Sequence, residues 1–110
     1  MSKLATEYLR HILDEIAFLS EEIFSLTEEQ IMHDELHQRA FARSLEVIGE
    51  AVKNIPQEYK TAHLEIDWKS FAGLRDKLIH HYFGVDYALV WDVVKNELPD
   101  LNIKLQNLLK

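Results

Sequence analysis

The sequence contains no cysteine, which excludes a disulfide scaffold, a thiolate zinc site and a cysteine nucleophile. Glycine and proline are scarce as well, three and two in 110 residues, where ordinary usage would be roughly 12% of the chain. Folds made of strands and tight turns depend on both residues, so the shortage points to helices. Nor does any apolar run approach the roughly 18 residues that a spanning helix needs. The opening residues Met1, Ser2, Lys3, Leu4, Ala5, Thr6 and Glu7 lack the apolar core of a signal peptide. The expectation is a cytoplasmic protein with no membrane partner. At 110 residues the chain is one domain's worth, a single helical unit over residues 1–110, too short to carry a separate cofactor domain. Its 47% of hydrophobic residues supply one modest core.

Cations are also few. The net charge is −7, which argues against non-specific binding to nucleic acid, because phosphates need compensating positive groups. The excess is not spread evenly. Residues 1–38 carry a balance of −7, residues 39–81 of +1 and residues 82–110 of −1. The near-neutral middle holds Arg39, Arg43, Lys69, Arg75, Lys77 and three histidines, so a local cationic site is compatible with the overall acidity.

Helical periodicity dominates the pattern. Leu4, Tyr8, Ile12, Ile16, Leu19, Ile23 and Leu26 recur every three or four residues and predict a first amphipathic helix, with Ser2 able to cap it. Thr27, followed by Gln30, reads as a new N-cap with its capping-box partner. A second long helix is predicted over about Asp34 to Asn54, with Phe41, Leu45, Ile48, Val52 and Ile55 as its apolar stripe. Beside it runs a row of small residues, Ala40, Ser44, Val47 and Ala51, which admits a close neighbour. Arg39, Arg43, Glu46 and Glu50 line a further face. Pro56 ends this helix by forcing Ile55 out of the α region. Residues 57–64 suit a short helix, and Asp67 an N-cap for a third helical stretch from Trp68 to about His81, on the stripe Phe71, Leu74 and Leu78. Gly84 stops it and Asp86 caps a last helix. In that helix Val94, Leu98, Leu101, Leu105 and Leu108 keep their spacing through Pro99, as one kinked helix or two collinear ones. The predicted fold class is all-α: an antiparallel bundle of four main helices and a possible short fifth.

Two clusters could carry chemistry. His33 and His37 stand four apart on one helix face, a spacing that can bind a metal ion, but Asp34 occupies the position where a zinc protease has glutamate, and no third ligand stands out. They read as solvated polar residues at a helix start, and no metal or cofactor is expected. The second cluster is Arg75, Asp76, Lys77, Leu78, Ile79, His80, His81 and Tyr82. Histidine can move protons near neutral pH, and arginine can neutralise charge that builds on phosphoryl oxygens, so the group suits phosphodiester cleavage without metal. On an ideal helix Arg75 and Tyr82 project from nearly the same side, whereas His80 lies about 140° round from Arg75. His81 falls on the face of Leu74 and Leu78, which suggests packing. Gly49 costs its helix roughly 1 kcal/mol relative to alanine, and a close helix or subunit contact accounts for it better than catalysis. Trp68 and Trp91 read as core or interface anchors.

The arrangement Arg75, His80 and Tyr82 resembles the Arg-x4-His-x-Tyr motif of HepT-like toxins, in the HEPN superfamily of metal-independent ribonucleases. The resemblance extends along the chain. Ser44 to Val52 is similar to the family's Ile-Gly-Glu-Ala signature. Asp67-Trp68 and Phe71 to Arg75 are similar to the stretch leading into the motif, and Phe83 to Asp86, Val90-Trp91 and Leu98-Pro99 to its tail. The resemblance implies a homodimer whose two motif copies face each other across a cleft, supplying together what one helix cannot present. It implies cleavage of RNA by attack of the ribose 2′-hydroxyl, with catalytic Arg75 stabilising the phosphorane and catalytic His80 transferring protons. Asp76 takes the place of a supporting polar residue, often asparagine. His81 is the alternative histidine; the tyrosine two positions on favours His80. The family also implies a partner in a type VII-like toxin–antitoxin pair, an MntA-like nucleotidyltransferase antitoxin that silences the toxin by transferring AMP to Tyr82. A tyrosine buried against the core is the bland alternative for Tyr82, and a catalytically silent scaffold that pairs with the nucleotidyltransferase is the alternative for the whole chain.

Overall fold

In the computed structural model, which describes residues 3–80 and 84–110 and only the backbone of His80, the first helix α1 runs from Lys3 to Phe24. It buries Ala5, Leu9, Ile12, Ile16, Leu19 and Ile23. The predicted stripe is therefore buried from Ile12 to Ile23, whereas Leu4 is half exposed, Tyr8 and Leu26 are only partly buried against the core, and Leu26 lies beyond the end of α1. Helix geometry gives the reason. Steps of four residues drift by about 40° each, so Leu4 lies about 120° from Ile16, while Ala5 and Leu9 stay within about 20° of it. Ser2, the expected cap, lies outside the described residues.

After α1 a single turn, α2 (Glu28–Ile31), begins at the predicted cap: the Gln30 amide donates to Thr27 Oγ1, and the Thr27 amide to Gln30 Oε1 at 2.8 Å. The second long helix α3 (Glu35–Asn54) starts on Asp34, whose carboxylate accepts from the His37 amide. It packs antiparallel to α1, with Phe41, Leu45, Ile48 and Val52 fully buried. Ser44 is buried and its hydroxyl donates to Glu15 Oε1 of α1 at 2.8 Å. Part of the small-residue row is thereby used within one chain. Ile55 is extended, with ψ of 132°, as Pro56 demands.

Beyond Pro56 come the short helix α4 (Gln57–Ala62) and then α5 (Trp68–Ala72), capped by Asp67 through the Ser70 amide. Trp68 is a core anchor as expected: it is buried, and its Nε1 donates to the His63 carbonyl at 2.9 Å. The predicted third helix is corrected in two ways. It is broken at Gly73 into α5 and α6 (Leu74–Leu78), and it ends at Leu78, not near His81. Ile79 is extended, with φ −107° and ψ 121°. It opens strand β1 (Ile79–His80), which pairs antiparallel with β2 (Gly84–Val85) in the register Ile79 to Val85 and His80 to Gly84. Gly84, at φ of +73°, adopts a backbone conformation that other residues avoid. The Asp86 amide then donates to the Leu78 carbonyl at 2.8 Å, which closes the hairpin onto the end of α6.

The last segment is α7 (Tyr87–Asp92), a π-helical turn (Val93–Glu97) and α8 (Leu98–Leu108). Asp86 caps α7 by accepting from the Leu89 amide at 3.1 Å. The π turn is the form taken by the expected irregularity: Leu98 donates to Val93, five residues back, just before Pro99, which has no amide to give and would clash with the preceding turn. Val90, Val93, Val94, Leu98, Leu101 and Leu105 still face the core. The fold is all-α as predicted. Its long members are α1, α3, the broken α5–α6 and the α7–π–α8 run, with α2 and α4 as short additions and one minimal hairpin.

Candidate active site

Gly49 determines where the motif begins. A Cβ built there would lie 3.4 Å from the Phe71 carbonyl oxygen, 3.6 Å from that of Ala72 and 3.9 Å from Leu74 Cβ. The last turn of α5 therefore sits directly on the α3 backbone, and a residue larger than alanine would push it away. The contact expected of Gly49 is a helix contact inside the chain.

Arg75 and Asp76 stand in the first turn of α6, both exposed. Among the described residues no carboxylate comes within ion-pair distance of Arg75. Lys77, two residues on, is tied to Glu97 at the end of the π turn, at 3.6 Å. Arg75 shares the lining of a small cavity with Leu78, Ile79 and Val85, and with Ala42 and Glu46 of α3. At about 10 Å³ it has room for one water at most. Its two charged members are Arg75 and Glu46, and the Glu46 carboxylate already lies 3.7 Å from Arg43. Sequence reasoning missed Glu46, placing it only on a helix face with Arg39, Arg43 and Glu50. The sequence held no signal for it, because its relation to Arg75 arises from the packing of α6 on α3.

His80 follows Ile79 on β1, so its backbone leaves the helical path of Arg75. The angle of about 140° that an ideal helix would impose does not apply past Leu78. The expectations that Tyr82 projects beside Arg75 and that His81 falls on the face of Leu78 concern residues outside the described ones.

The histidine pair near the start of α3 has a different character. His37 Nδ1 lies 2.6 Å from Asp34 Oδ2 and its Nε2 3.2 Å from Glu22 Oε2 of α1. The hydrogen bond with Asp34, and then that with Glu22, raise the His37 pKa above its ordinary value, against an opposing effect of partial burial. Asp34 is held below the usual carboxylate value by the His37 amide and then by its ring. His33 is exposed. The pair thus acts as a staple between α1 and α3 through His37 alone, and among the described residues no group of three such side chains is arranged to hold a metal ion. Nor is any helix among them long and apolar enough to cross a membrane.

These features sit in a chain that belongs to the HepT-like ribonuclease family of the HEPN superfamily. The family model described as "Ribonuclease HepT-like" matches residues 12–108. The chain is 45% identical over 108 residues to a protein named as a candidate RNase of Caldanaerobacter subterraneus subsp. tengcongensis, covering 98% of this chain and 96% of that one. It is 42% identical over 110 residues, the full length of both, to a protein of Thermococcus cleftensis named "Probable ribonuclease HepT". A candidate RNase of Methanocaldococcus jannaschii is 40% identical over 103 residues, or 94% of this chain and 85% of its own length. No solved structure matches the chain.

Proposed function

We propose that the protein is a metal-independent endoribonuclease in which Arg75 and His80 act on the scissile phosphodiester, Arg75 by neutralising charge on the phosphoryl oxygens and His80 by proton transfer. One observation carries this beyond family membership: Arg75 is exposed and has no carboxylate partner among the described residues, on a helix whose neighbours fix it from two sides. A cation left free in an acidic chain is available to an anion. The Asp76 carboxylate beside it tempers the field. The ribose 2′-hydroxyl is the nucleophile, which requires no metal-bound water.

The active form is a homodimer, by resemblance to the family. Two sequence reasons for a dimer are weakened inside a single chain. Ser44 of the small-residue row bonds to Glu15, and the helical angle between Arg75 and His80 is removed by the strand. In the cell the protein is the toxin of a type VII-like pair, and an MntA-like nucleotidyltransferase silences it by placing AMP on Tyr82.

The test is cleavage of RNA by purified protein in EDTA. Activity is expected to persist, and Arg75→Ala and His80→Ala are each expected to lower it at least a hundredfold, the scale of a lost acid–base or charge-stabilising group, with unchanged circular dichroism. Activity that survives in His80→Ala and vanishes in His81→Ala would reassign the histidine. Activity that vanishes in EDTA and returns with a divalent ion would overturn the mechanism.

A further inference from the structure

Among the described residues of this acidic chain, an open groove holds lysines without a carboxylate partner. It is an open cleft of about 720 Å³ between α4, the connector after it, α5 and α8. Lys60 of α4 and Lys69 of α5 line it, with Lys104 of α8 on a further wall. Lys104 is engaged with Asp100 at 2.9 Å. Lys60 and Lys69 have no carboxylate within ion-pair distance among the described residues. The two acids in the lining keep their charge but stand apart from these lysines: Glu65 lies 3.8 Å from His63 Nδ1, an ion pair only when that imidazole is protonated, and Asp67 accepts from the Ser70 amide, neither within ion-pair distance of Lys60 or Lys69 among the described residues. In a molecule of net charge −7, two ammonium groups left without partners in one concavity are placed for an anion from outside.

Position and chemistry narrow the anion. Ala72 is the last residue of α5 in its lining, and in sequence Gly73 alone separates Ala72 from the helix that carries Arg75. Its cations are lysines, point charges suited to phosphates without the bidentate geometry that arginine imposes on a single group. Trp68 forms part of the wall but is buried and holds the His63 carbonyl, so it offers no face on which a base could stack. The groove therefore suits a phosphate backbone and reads no sequence. We infer that it binds the backbone of single-stranded RNA beside the cleaved bond, with Lys60 and Lys69 as phosphate contacts. This rests on the ribonuclease reading.

Binding is measured apart from catalysis, by fluorescence anisotropy with a short labelled 2′-O-methyl RNA oligonucleotide, which has no 2′-hydroxyl to attack. The double variant Lys60→Gln/Lys69→Gln is compared with wild type and with Lys53→Gln/Lys95→Gln, which removes the same charge outside the groove. Each lost single-strand phosphate contact lowers the salt slope by about 0.7, so between about 50 and 200 mM salt wild-type affinity is expected to fall about sevenfold more than that of the groove variant. The charge-matched control is expected to keep the wild-type slope. Equal slopes in both double variants, a wild-type slope in the groove variant, or no RNA binding by wild type would overturn the inference. Cleavage of unmodified RNA by wild type and Arg75→Ala is run in parallel. Equal cleavage by those two refutes the ribonuclease assignment of Arg75, whereas the anisotropy series alone decides the groove.

Discussion

Substituting Gly49 by alanine and by valine tests whether the contact between α3 and α5 sets the position of Arg75. Alanine places its Cβ 3.4 Å from the Phe71 carbonyl oxygen and 3.6 Å from that of Ala72, the near edge of ordinary van der Waals contact. Against that mild crowding stands a gain of roughly 1 kcal/mol in helix propensity. The alanine variant is expected to be as stable as wild type or up to about 1 kcal/mol more so. Valine adds two carbons, each about 1.5 Å further out, and in a helix its side chain is confined largely to one rotamer. It cannot turn both away from two carbonyls and Leu74. Overpacking of this kind costs about 1–3 kcal/mol; taking about 2, the melting temperature should fall by about 8 °C for a domain of this size. The displaced backbone lies immediately before Gly73, so the start of α6 moves with it. RNA cleavage by the valine variant, assayed well below its melting point, should drop by more than the folded fraction explains. Thermal melts followed by circular dichroism, with cleavage assays alongside, give both readouts. A valine variant that melts with wild type, or an alanine variant that melts several degrees lower, would refute the packing argument; a destabilised valine variant with full activity would detach Arg75 from it.

The His37 staple predicts a pH-dependent term in stability. A raised imidazole pKa means that the folded state binds the proton more tightly, so this contribution is fully present below the ordinary value of 6.5 and is lost as pH rises through the raised one. Asp34, held low, contributes above its ordinary 3.8 and loses that contribution as pH falls through the lowered value. The advantage of wild type over His37→Gln in melting temperature should therefore be greatest at about pH 5–6 and shrink towards about pH 8; an advantage that grows from pH 6 to 8 would show the linkage to be wrong. For Tyr82, AMP would add a negative phosphodiester and an adenosine close in sequence to Arg75, both opposed to an anionic polymer. Incubation with the nucleotidyltransferase and ATP should abolish cleavage by wild type and leave Tyr82→Phe active and unmodified by mass spectrometry. AMP found elsewhere on Tyr82→Phe, with cleavage still blocked, would displace the proposed control site.

Much of the fold was legible because its signals are local. Thr27, Asp67 and Asp86 each cap the helix expected of them, since a side-chain oxygen bonding an amide three residues on involves no distant part of the chain, and Asp34, expected only as the approximate start of its helix, caps α3 in the same way. Pro56 ends α3 for an equally local reason. Errors arise where two faces compete or where a third element decides. Leu4 and Tyr8 are as apolar as a core stripe needs, and only the 3.6-residue period, applied over four turns, removes Leu4 from it. Pro99 announces an irregularity, but its form, a π turn that leaves Val94 and Leu98 buried in the core, has no local signal in the sequence.

The motif segment shows the same division at closer range. Arg75, His80 and Tyr82 were legible as residue types whose chemistry suits a phosphodiester, and Gly84 as a backbone stop. The actual stop comes six residues before Gly84, at Leu78, because Ile79 pairs with Val85 and the Leu78 carbonyl takes the Asp86 amide. Two strands of two residues each are too short for an alternating pattern to register, so helical spacing through Leu78 extends on paper into residues that the hairpin has already claimed. The consequence reaches function. A helical wheel sets Arg75 and His80 on different faces and makes a second subunit the remedy, whereas a helix ending at Leu78 puts four intervening residues, part helical and part extended, between them. Whether one chain or two complete the site is then a matter for the Arg75→Ala and His80→Ala proteins mixed together: a composite site built from one residue of each subunit regains part of its activity in mixed dimers, and a site complete within one chain does not.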